Sequence, residues 1–295
     1  MKILIIRSGA LGDTLMLMPL INALSDHKII VLGRKPGIDY LEPYVRQCFD
    51  IERGGWHRLF IRGSDIDMPC PQVDNVIAFI NDKENIVSGN LNHLFPFSKI
   101  NIFPPFPDPG SKAHVVIHML SCLKSAGIPV DPQAAFNAAL NQPAMKSGKA
   151  KRKKTVLHPG SGSMKKNYSP DFWFNLSARI KSAGPSMDIY FLLGPAEEEI
   201  FHIVEKKAGE CDAEIICPVG KELLSTLNNT LLYIGHDSGV THLAAMLGIN
   251  TIALFKNSSI YQWRPLGPSV KIIESGGDEE SILKRTVGEA ISFLK

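Results

Sequence analysis

Hydrophobic and polar positions follow a strand and helix pattern at the start of the chain. Apolar positions predict a β-strand over 2–7, an amphipathic helix over about 13–25 and a second strand over 28–33. This order is a βαβ unit, whose strands lie parallel in one sheet. The first part of the chain is therefore expected to contain a parallel sheet.

The same pattern is more regular in the second half. It predicts strands at 155–158, 188–193, 213–217, 231–235 and 250–255, and helices between them at 170–183, 196–208, 220–229 and 239–247. Regular alternation of strands and helices is typical of a doubly wound α/β domain. A last helix over about 278–294 closes the chain, and such a helix can pack back on the first domain.

The pattern is weaker between residues 44 and 106. Short strands are expected near 58–62 and 75–79, and the prolines at 96, 104, 105, 107 and 109 exclude long regular elements. A helix is predicted over 111–127, ending at Gly127. The segment NQPAMKSGKAKRKK at 141–154 is polar, basic and typical of a linker. We therefore predict two domains, residues 1–150 and 151–295, which suits a chain of 295 residues.

Composition narrows the class of protein. Hydrophobic residues at 44%, charged residues at 21% and a mean hydropathy of +0.02 favour a soluble globular protein over a polytopic membrane protein. The net charge of +3 is too weak to indicate nucleic-acid binding but suits an anionic ligand. Five scattered cysteines without a CxxC pair suggest neither zinc nor disulfides, which points to a reducing compartment. The start MKILIIR reads as a first strand rather than a signal peptide.

Two strand-to-helix turns contain glycine. Turns of this kind lie beyond the carboxyl ends of the strands, where α/β folds bind ligands. The first is ILIIRSGALGDTL at 3–15, in which Gly9 and Gly12 allow a tight turn or a close approach, and Asp13 lies in the first helical turn. Asp13 is either a helix cap or a catalytic base. The second is YIGHDSGVTHLAA at 233–245, which is richer than capping requires because it places five candidate residues at a helix start: Asp237, Ser238, Gly239, Thr241 and His242.

A third turn, HPGSGSMKKNYSP, follows the strand at 155–158. It combines the hydroxyls of Ser161 and Ser163 with the ammonium groups of Lys165 and Lys166 just before a helix. Hydroxyls, free N–H groups and cations together suit a phosphate, and the alternative is a solvated loop with surface lysines.

Two weaker sets of residues remain. His114 and His118 have helical i, i+4 spacing, but no third ligand is evident and no metal site is predicted. A basic cluster could hold an anionic substrate or form a solvated face; it comprises Arg46, Arg53, His57, Arg58 and Arg62.

The three turns, in this order, resemble those of glycosyltransferase family 9, the lipopolysaccharide heptosyltransferases. The matching stretches are ILIIRSGALGDTLMLMPLINAL, VLHPGSGSMKKNYSPDFWFNL, FLLGPAEEE, GHDSGVTHLAAMLGINTIALF and WRPLGP. The resemblance implies a GT-B architecture, with two Rossmann-like domains facing across a cleft, the donor held by the second and the acceptor by the first. The chain departs from the family where Tyr168 replaces a tryptophan and Lys256 replaces a glycine.

The resemblance also implies an activity and roles. The expected enzyme is inverting and metal-independent, needs no cofactor, and moves a heptose or related sugar from a nucleotide sugar, ADP-heptose, to a lipopolysaccharide core or other lipid-linked saccharide. Asp13 matches the base. Donor binding falls to the remaining matched residues: Ser161, Ser163, Lys165, Lys166, Asp237, Ser238, Gly239 and His242. The resemblance does not extend to the middle of the first domain, where the basic cluster supplies Arg53, Arg58 and Arg62 as the acceptor-binding candidates for an anionic glycolipid.

The expected location is the cytoplasmic face of the bacterial inner membrane, with peripheral membrane contact and no nucleic-acid partner. Alternatives remain open: a nucleotide-sugar epimerase or hydrolase of the same fold, or a non-catalytic binding homologue. A dinucleotide-dependent oxidoreductase is disfavoured because no GxGxxG with a downstream acid follows the first strand.

Overall fold

The structure is a computed structural model and describes residues 1–63, 70–148, 154–194 and 197–294. The chain divides into two compact units, Met1–Ala138 and Ala139–Lys295. The boundary expected between 150 and 151 lies outside the described residues, as do residues 149–153 of the predicted linker. Before it, the Met145 N–H already bonds to Met246 O, which ties this segment to the second unit.

The first unit contains five described strands and six described α-helices, the last of which continues past Ala138 into the second unit. The strands are β1 (Lys2–Arg7), β2 (Lys28–Gly33), β3 (Gln47–Asp50), β4 (Asn75–Phe79) and β5 (Lys99–Phe103). The helices are α1 (Leu11–Leu15), α2 (Met18–Ala23), α3 (Gly37–Leu41), α4 (Ile86–Leu94), α5 (Val115–Ser125) and α6 (Pro132–Asn141).

The strands of the first unit form a parallel sheet in the order β3-β2-β1-β4-β5. The strand order reverses at β1 and β4, which pair directly with Ile6 opposite Ala78. β1 and β4 are almost continuous apolar runs, as strands covered on both faces must be. In such a sheet the loops at the carboxyl ends of the two central strands form the expected ligand site.

The helix expected over 13–25 is two short helices, α1 and α2. Pro19 lies in the first turn of α2 and has no N–H to continue the ladder, so the helix breaks after Leu15. The strand expected near 58–62 is wrong, because Trp56–Phe60 forms a 3-10 helix with its apolar side chains Trp56 and Leu59 buried. Strands β3 and β5 are short and partly exposed, so their apolar pattern is weak.

The second unit follows the predicted alternation closely. Its strands are β6 (Lys154–His158), β7 (Asp188–Leu192), β8 (Ala213–Ile216), β9 (Thr230–His236), β10 (Asn250–Phe255) and β11 (Val270–Glu274). Its helices are α7 (Pro170–Ala183), α8 (Glu198–Ala208), α9 (Lys221–Asn228), α10 (Gly239–Met246), α11 (Ile260–Trp263) and α12 (Glu279–Leu294). The prediction missed β11 and α11.

Its parallel sheet has the order β8-β7-β6-β9-β10-β11. Counted from its own first strand, this is the Rossmann order 3-2-1-4-5-6, with the reversal between β6 and β9. The closing helix α12 packs on α7 and on β10 and β11 of the same unit, and Arg179 forms a bidentate pair with Glu280. The prediction of two doubly wound, parallel-sheet α/β domains is confirmed.

Candidate active site

Asp13 lies on the first turn of α1, directly after the carboxyl end of β1. Its Oδ2 accepts the Ala10 N–H at 3.0 Å, so the carboxylate does cap its own helix. A Cβ on Gly9 would lie 2.3 Å from the Asp13 Cβ, which explains why the turn needs glycine there. Gly12 lies within α1. The carboxylate remains 20% exposed and can reach a ligand.

A buried arginine holds this turn in place. Arg7 ends β1 and is 1% exposed; its Nε donates to the Asp13 carbonyl at 2.7 Å, and its Nη2 lies 3.5 Å from Asp13 Oδ1. Its Nη1 donates to Pro105 O at 2.9 Å, and the rings of Phe79 and Phe106 flank the guanidinium. Sequence analysis did not identify Arg7 as a residue of the site. A signal was present, because Arg7 ends an apolar strand and a charge buried there requires partners.

In the second unit, the loop after β6 is folded around its serines. Ser161 is buried, and its Oγ lies 2.7 Å from Asn167 Oδ1 and 2.9 Å from Ser163 O. Ser169 caps α7 by accepting the Phe172 N–H. The loop therefore returns towards β6 before α7 begins and presents Lys166 beside β9.

Lys166 and Asp237 form an ion pair between the loop after β6 and the loop after β9. Lys166 Nζ lies 2.7 Å from Asp237 Oδ2, and Asp237 is 7% exposed. His242, also buried, places its Nε2 3.6 Å from the other carboxylate oxygen. Burial by itself raises the pKa of Asp237, but His242 and Lys166 outweigh burial and lower the pKa to about 2. Lys165 is exposed, so the two adjacent lysines are not equivalent.

The strand β9 delivers Asp237 to the start of α10. Ser238 caps this helix by accepting the Thr241 N–H, and Gly239 is its first residue. Since β6 and β9 are neighbours at the reversal of strand order, their two loops meet. Sequence analysis predicted a ligand-binding role for each of these loops separately, and the strand order brings Lys166, Asp237 and His242 together.

Buried polar side chains of β6, β9 and α10 form a network next to the two loops. His158 Nδ1 lies 2.8 Å from Tyr233 OH, and the Tyr233 hydroxyl lies 3.2 Å from Thr241 Oγ1. Burial raises the pKa of Tyr233. Glu197, 3% exposed, accepts the Gly194 N–H at 2.7 Å and lies 3.6 Å from His158 Nε2. Of these network residues, sequence analysis had named Thr241 at the start of α10 and had assigned no role to His158, Tyr233 or Glu197.

The two departures from the family pattern contact each other. Lys256 Nζ donates to Asn167 O at 3.0 Å and lies 4.9 Å from the centre of the Tyr168 ring. The Tyr168 N–H in turn donates to His236 Nε2 at 3.0 Å. Lys256 therefore holds the end of the serine and lysine loop in place by its hydrogen bond to Asn167 O.

The remaining candidates have local partners. Arg53 pairs with Asp50 at 3.6 Å and Arg62 with Glu84 at 3.1 Å, while Arg58 is exposed. His114 caps α5 by accepting the Val116 N–H. In the described ranges, no group of three or more His, Cys, Asp and Glu side chains could hold a metal ion. The described helices include none that is long and apolar enough to cross a membrane.

A doubly wound α/β fold with a serine and lysine loop at its strand reversal is typical of proteins that bind phosphorylated ligands. Residues 109–288 match the model of glycosyltransferase family 9 (heptosyltransferase), which is more than half of the chain. The chain therefore belongs to glycosyltransferase family 9, and it is a glycosyltransferase. Comparison with curated proteins finds no match.

Solved structures show the same fold at low sequence identity. The chain is similar to E. coli ADP-heptose lps heptosyltransferase II, with 18% identity, a TM-score of 0.71 and coverage of 100% of this chain and 98% of that chain. It is similar to E. coli heptosyltransferase WaaC with ADP, with 14% identity, a TM-score of 0.69 and coverage of 98% and 100%. A family 9 glycosyl transferase from Veillonella parvula gives 13% identity, a TM-score of 0.68 and coverage of 99% and 97%. These matches support the predicted GT-B fold.

Proposed function

We propose that this glycosyltransferase moves a heptose or a closely related sugar from an ADP-linked donor to a saccharide of the lipopolysaccharide core or another lipid-linked saccharide. Transfer inverts the anomeric centre and uses no metal ion or other cofactor. Similar structures carry ADP and ADP-2-deoxy-2-fluoro heptose, which supports an ADP-linked donor. The enzyme works in the cytoplasm, at the cytoplasmic face of the inner membrane.

The observation that carries this proposal is the cluster of Lys166, Asp237 and His242 at the strand reversal of the second unit. Without a metal ion, a departing diphosphate needs fixed cations and hydrogen-bond donors. Lys166, the Ser163 hydroxyl and the N-terminus of α10 supply such groups. The Ser161 hydroxyl donates within the loop, to Asn167 Oδ1 and Ser163 O, and would have to turn from these acceptors to bind the diphosphate. Asp237 holds Lys166 before the donor arrives, and its carboxylate suits sugar hydroxyls.

Asp13 is the proposed general base in the first unit. It accepts the proton of the acceptor hydroxyl while that oxygen attacks the anomeric carbon and the bond to the diphosphate breaks. The carboxylate is held from two sides, by the Ala10 N–H and by Arg7. Such fixed placement is what a base needs in the transition state.

Replacing Asp13 with asparagine tests the base. Asp13→Asn is expected to lower kcat at least about 100-fold, because general base catalysis contributes roughly that much or more. ADP affinity, measured by calorimetry, should stay unchanged, and turnover close to that of the unaltered enzyme would contradict the assignment. NMR of the product reports inversion, and activity unchanged by EDTA reports metal independence.

The adjacent lysines give a matched test of donor binding. Lys166→Met should weaken ADP binding about tenfold or more because it removes the ammonium and leaves Asp237 buried without its cation. Lys165→Met should have a smaller effect, since its side chain is exposed. Equal affinities for both variants and the unaltered protein would refute the diphosphate assignment. Incubation with donor alone, followed for free epimer or sugar, tests the epimerase and hydrolase alternatives.

A further inference from the structure

Buried polar side chains form a hydrogen-bond relay from the start of α8 to the start of α10. Glu197 Oε1 lies 3.6 Å from His158 Nε2, and the hydroxyl of Tyr233 lies 2.8 Å from the other ring nitrogen. The same hydroxyl lies 3.2 Å from Thr241 Oγ1, which is 3.1 Å from the Oγ of Ser238, the cap of α10. The first four of these side chains are at most 4% exposed. Since buried polar groups require hydrogen-bond partners, the positions of the protons along the relay can be derived.

Thr241 sets the direction at the α10 end of the relay. Its hydroxyl has one proton and donates it to the backbone carbonyl oxygen of His236, which can only accept. The Thr241 oxygen is therefore an acceptor towards both Tyr233 and Ser238. The contact between Tyr233 and Thr241 contains a proton only if the Tyr233 hydroxyl donates it.

The same count places the protons of His158. Burial raises the pKa of Tyr233, so its hydroxyl keeps its single proton. If that proton lies towards Thr241, the Tyr233 oxygen must accept from His158 Nδ1, which therefore carries a hydrogen. On the other side of the ring, a bare Nε2 would face the Glu197 oxygen, and their lone pairs would repel each other. Glu197 and His158 therefore share a second proton, held by Nε2 or by the carboxylate.

The opposite direction leaves one contact of the relay without a proton. A His158 ring protonated at Nε2 alone would accept the Tyr233 proton at Nδ1. The oxygens of Tyr233 and Thr241 would then face each other at 3.2 Å with no proton between them, and both residues are fully buried. A missing hydrogen bond in the interior is costly because solvent does not replace it.

We propose that Glu197, His158 and Tyr233 are positioning residues that direct their protons towards α10 and thereby keep the hydroxyl of its cap available to the donor's diphosphate. The Ser238 oxygen already accepts the Thr241 N–H, and with the Tyr233 proton on Thr241 the Ser238 proton is not needed inside the relay. The inference rests on the proposed function, because it takes the ligand at the N-terminus of α10 to be a diphosphate.

NMR of the full chain with isotope-labelled histidine tests the proton count directly. Long-range proton–nitrogen correlation should show a protonated Nδ1 for His158, and the signal is assigned by its loss in His158→Asn. A ring protonated at Nε2 alone would overturn the inference. The measurement uses the unaltered protein without ligand, so it depends neither on the folding of a relay variant nor on the proposed function.

Tyr233→Phe tests the effect on donor binding by removing the central hydroxyl. The Thr241 oxygen then takes the proton of Ser238, so ADP affinity by calorimetry should fall about fivefold. Ser238→Ala should also lower the affinity, but the double variant should bind no more weakly than the weaker single variant, since both remove the same donated hydrogen bond. Tyr190→Phe, on β7 of the same sheet, is the matched control and should bind ADP like the unaltered protein.

Urea unfolding of each variant identifies conditions in which all are folded, and affinities are compared there. In the transfer assay, Tyr233→Phe should raise the donor KM and leave the acceptor KM unchanged. An ADP affinity of Tyr233→Phe equal to that of the unaltered protein, or additive losses in the double variant, would overturn the positioning role and leave the proposed function standing. Conversely, an unaltered protein that shows the protonated Nδ1 of His158 but does not bind ADP would retain the relay and reject the proposed donor.

Discussion

The buried His236 predicts that the second unit loses stability at mildly acidic pH. Its ring is fully buried, packs against Tyr168 and Trp173, and accepts the Tyr168 N–H at 3.0 Å through Nε2. Burial is the largest cause that lowers the pKa of His236 from 6.5 to about 3, and the charges of His158 and Lys256 act in the same direction. Folding therefore keeps this ring neutral where the unfolded chain would protonate it.

The sign and size follow from linkage. Because the folded pKa is depressed, the unfolded state binds more protons between pH 6.5 and about 3, so stability falls as pH falls through this window. Each pKa unit corresponds to about 1.4 kcal/mol, so His236 costs about 2 kcal/mol at pH 5 and about 5 kcal/mol below pH 3. Asp237, with its pKa of about 2, begins to lose its contribution only below pH 4 and does not confound a measurement between pH 8 and 5.

The assay is urea unfolding followed by tryptophan fluorescence at pH 8 and pH 5 for the unaltered protein and for His236→Gln. Glutamine places an amide oxygen near the position of Nε2, where it can accept the Tyr168 N–H without titrating. The variant should be less stable at pH 8, but its loss on going to pH 5 should be about 2 kcal/mol smaller. His202→Gln, an exposed histidine on α8, is the control and should behave like the unaltered protein. An equal pH-dependent loss in His236→Gln and the unaltered protein would refute the reasoning.

Three further predictions concern groups that hold the loops. Arg7→Met should destabilise the first unit by about 2 kcal/mol and lower kcat. If Arg7 acts through Asp13, the same substitution should cost little further activity in an Asp13→Asn background. Additive losses in the double variant would exclude action through Asp13. Lys256→Met, which frees Asn167 O, should weaken ADP binding several-fold by calorimetry, with Lys256→Arg retaining more affinity than Met; no difference among the three would reject the contact as functional. Gly160→Ala would place a Cβ 1.8 Å from Glu197 Oε1 and should cost about 2 kcal/mol in urea unfolding; unchanged stability would mean that Glu197 moves freely.

The sequence predicted the second unit better than the first, for a physical reason. Strands such as β9 and β10 are long, apolar and separated by amphipathic helices, so periodicity identifies them. In the first unit, β3 and β5 are short edge strands with mixed exposure, and their formation depends on pairing with β2 and β4. The Trp56–Phe60 segment has strand-like composition, but packing of its apolar side chains in the core selects a 3-10 helix.

For the candidate site, the sequence by itself determined the chemistry available: the glycine turns, the serine and lysine loop, Asp13 and the Asp237 segment. The tertiary structure decided which groups meet. Lys166 and Asp237 are 71 residues apart and pair only because β6 and β9 are neighbours where the strand order reverses. Arg7 and Lys256 became visible as supporting groups only through their contacts. Local periodicity fixes elements, whereas contacts between distant residues depend on strand order and burial, which no short stretch of sequence encodes.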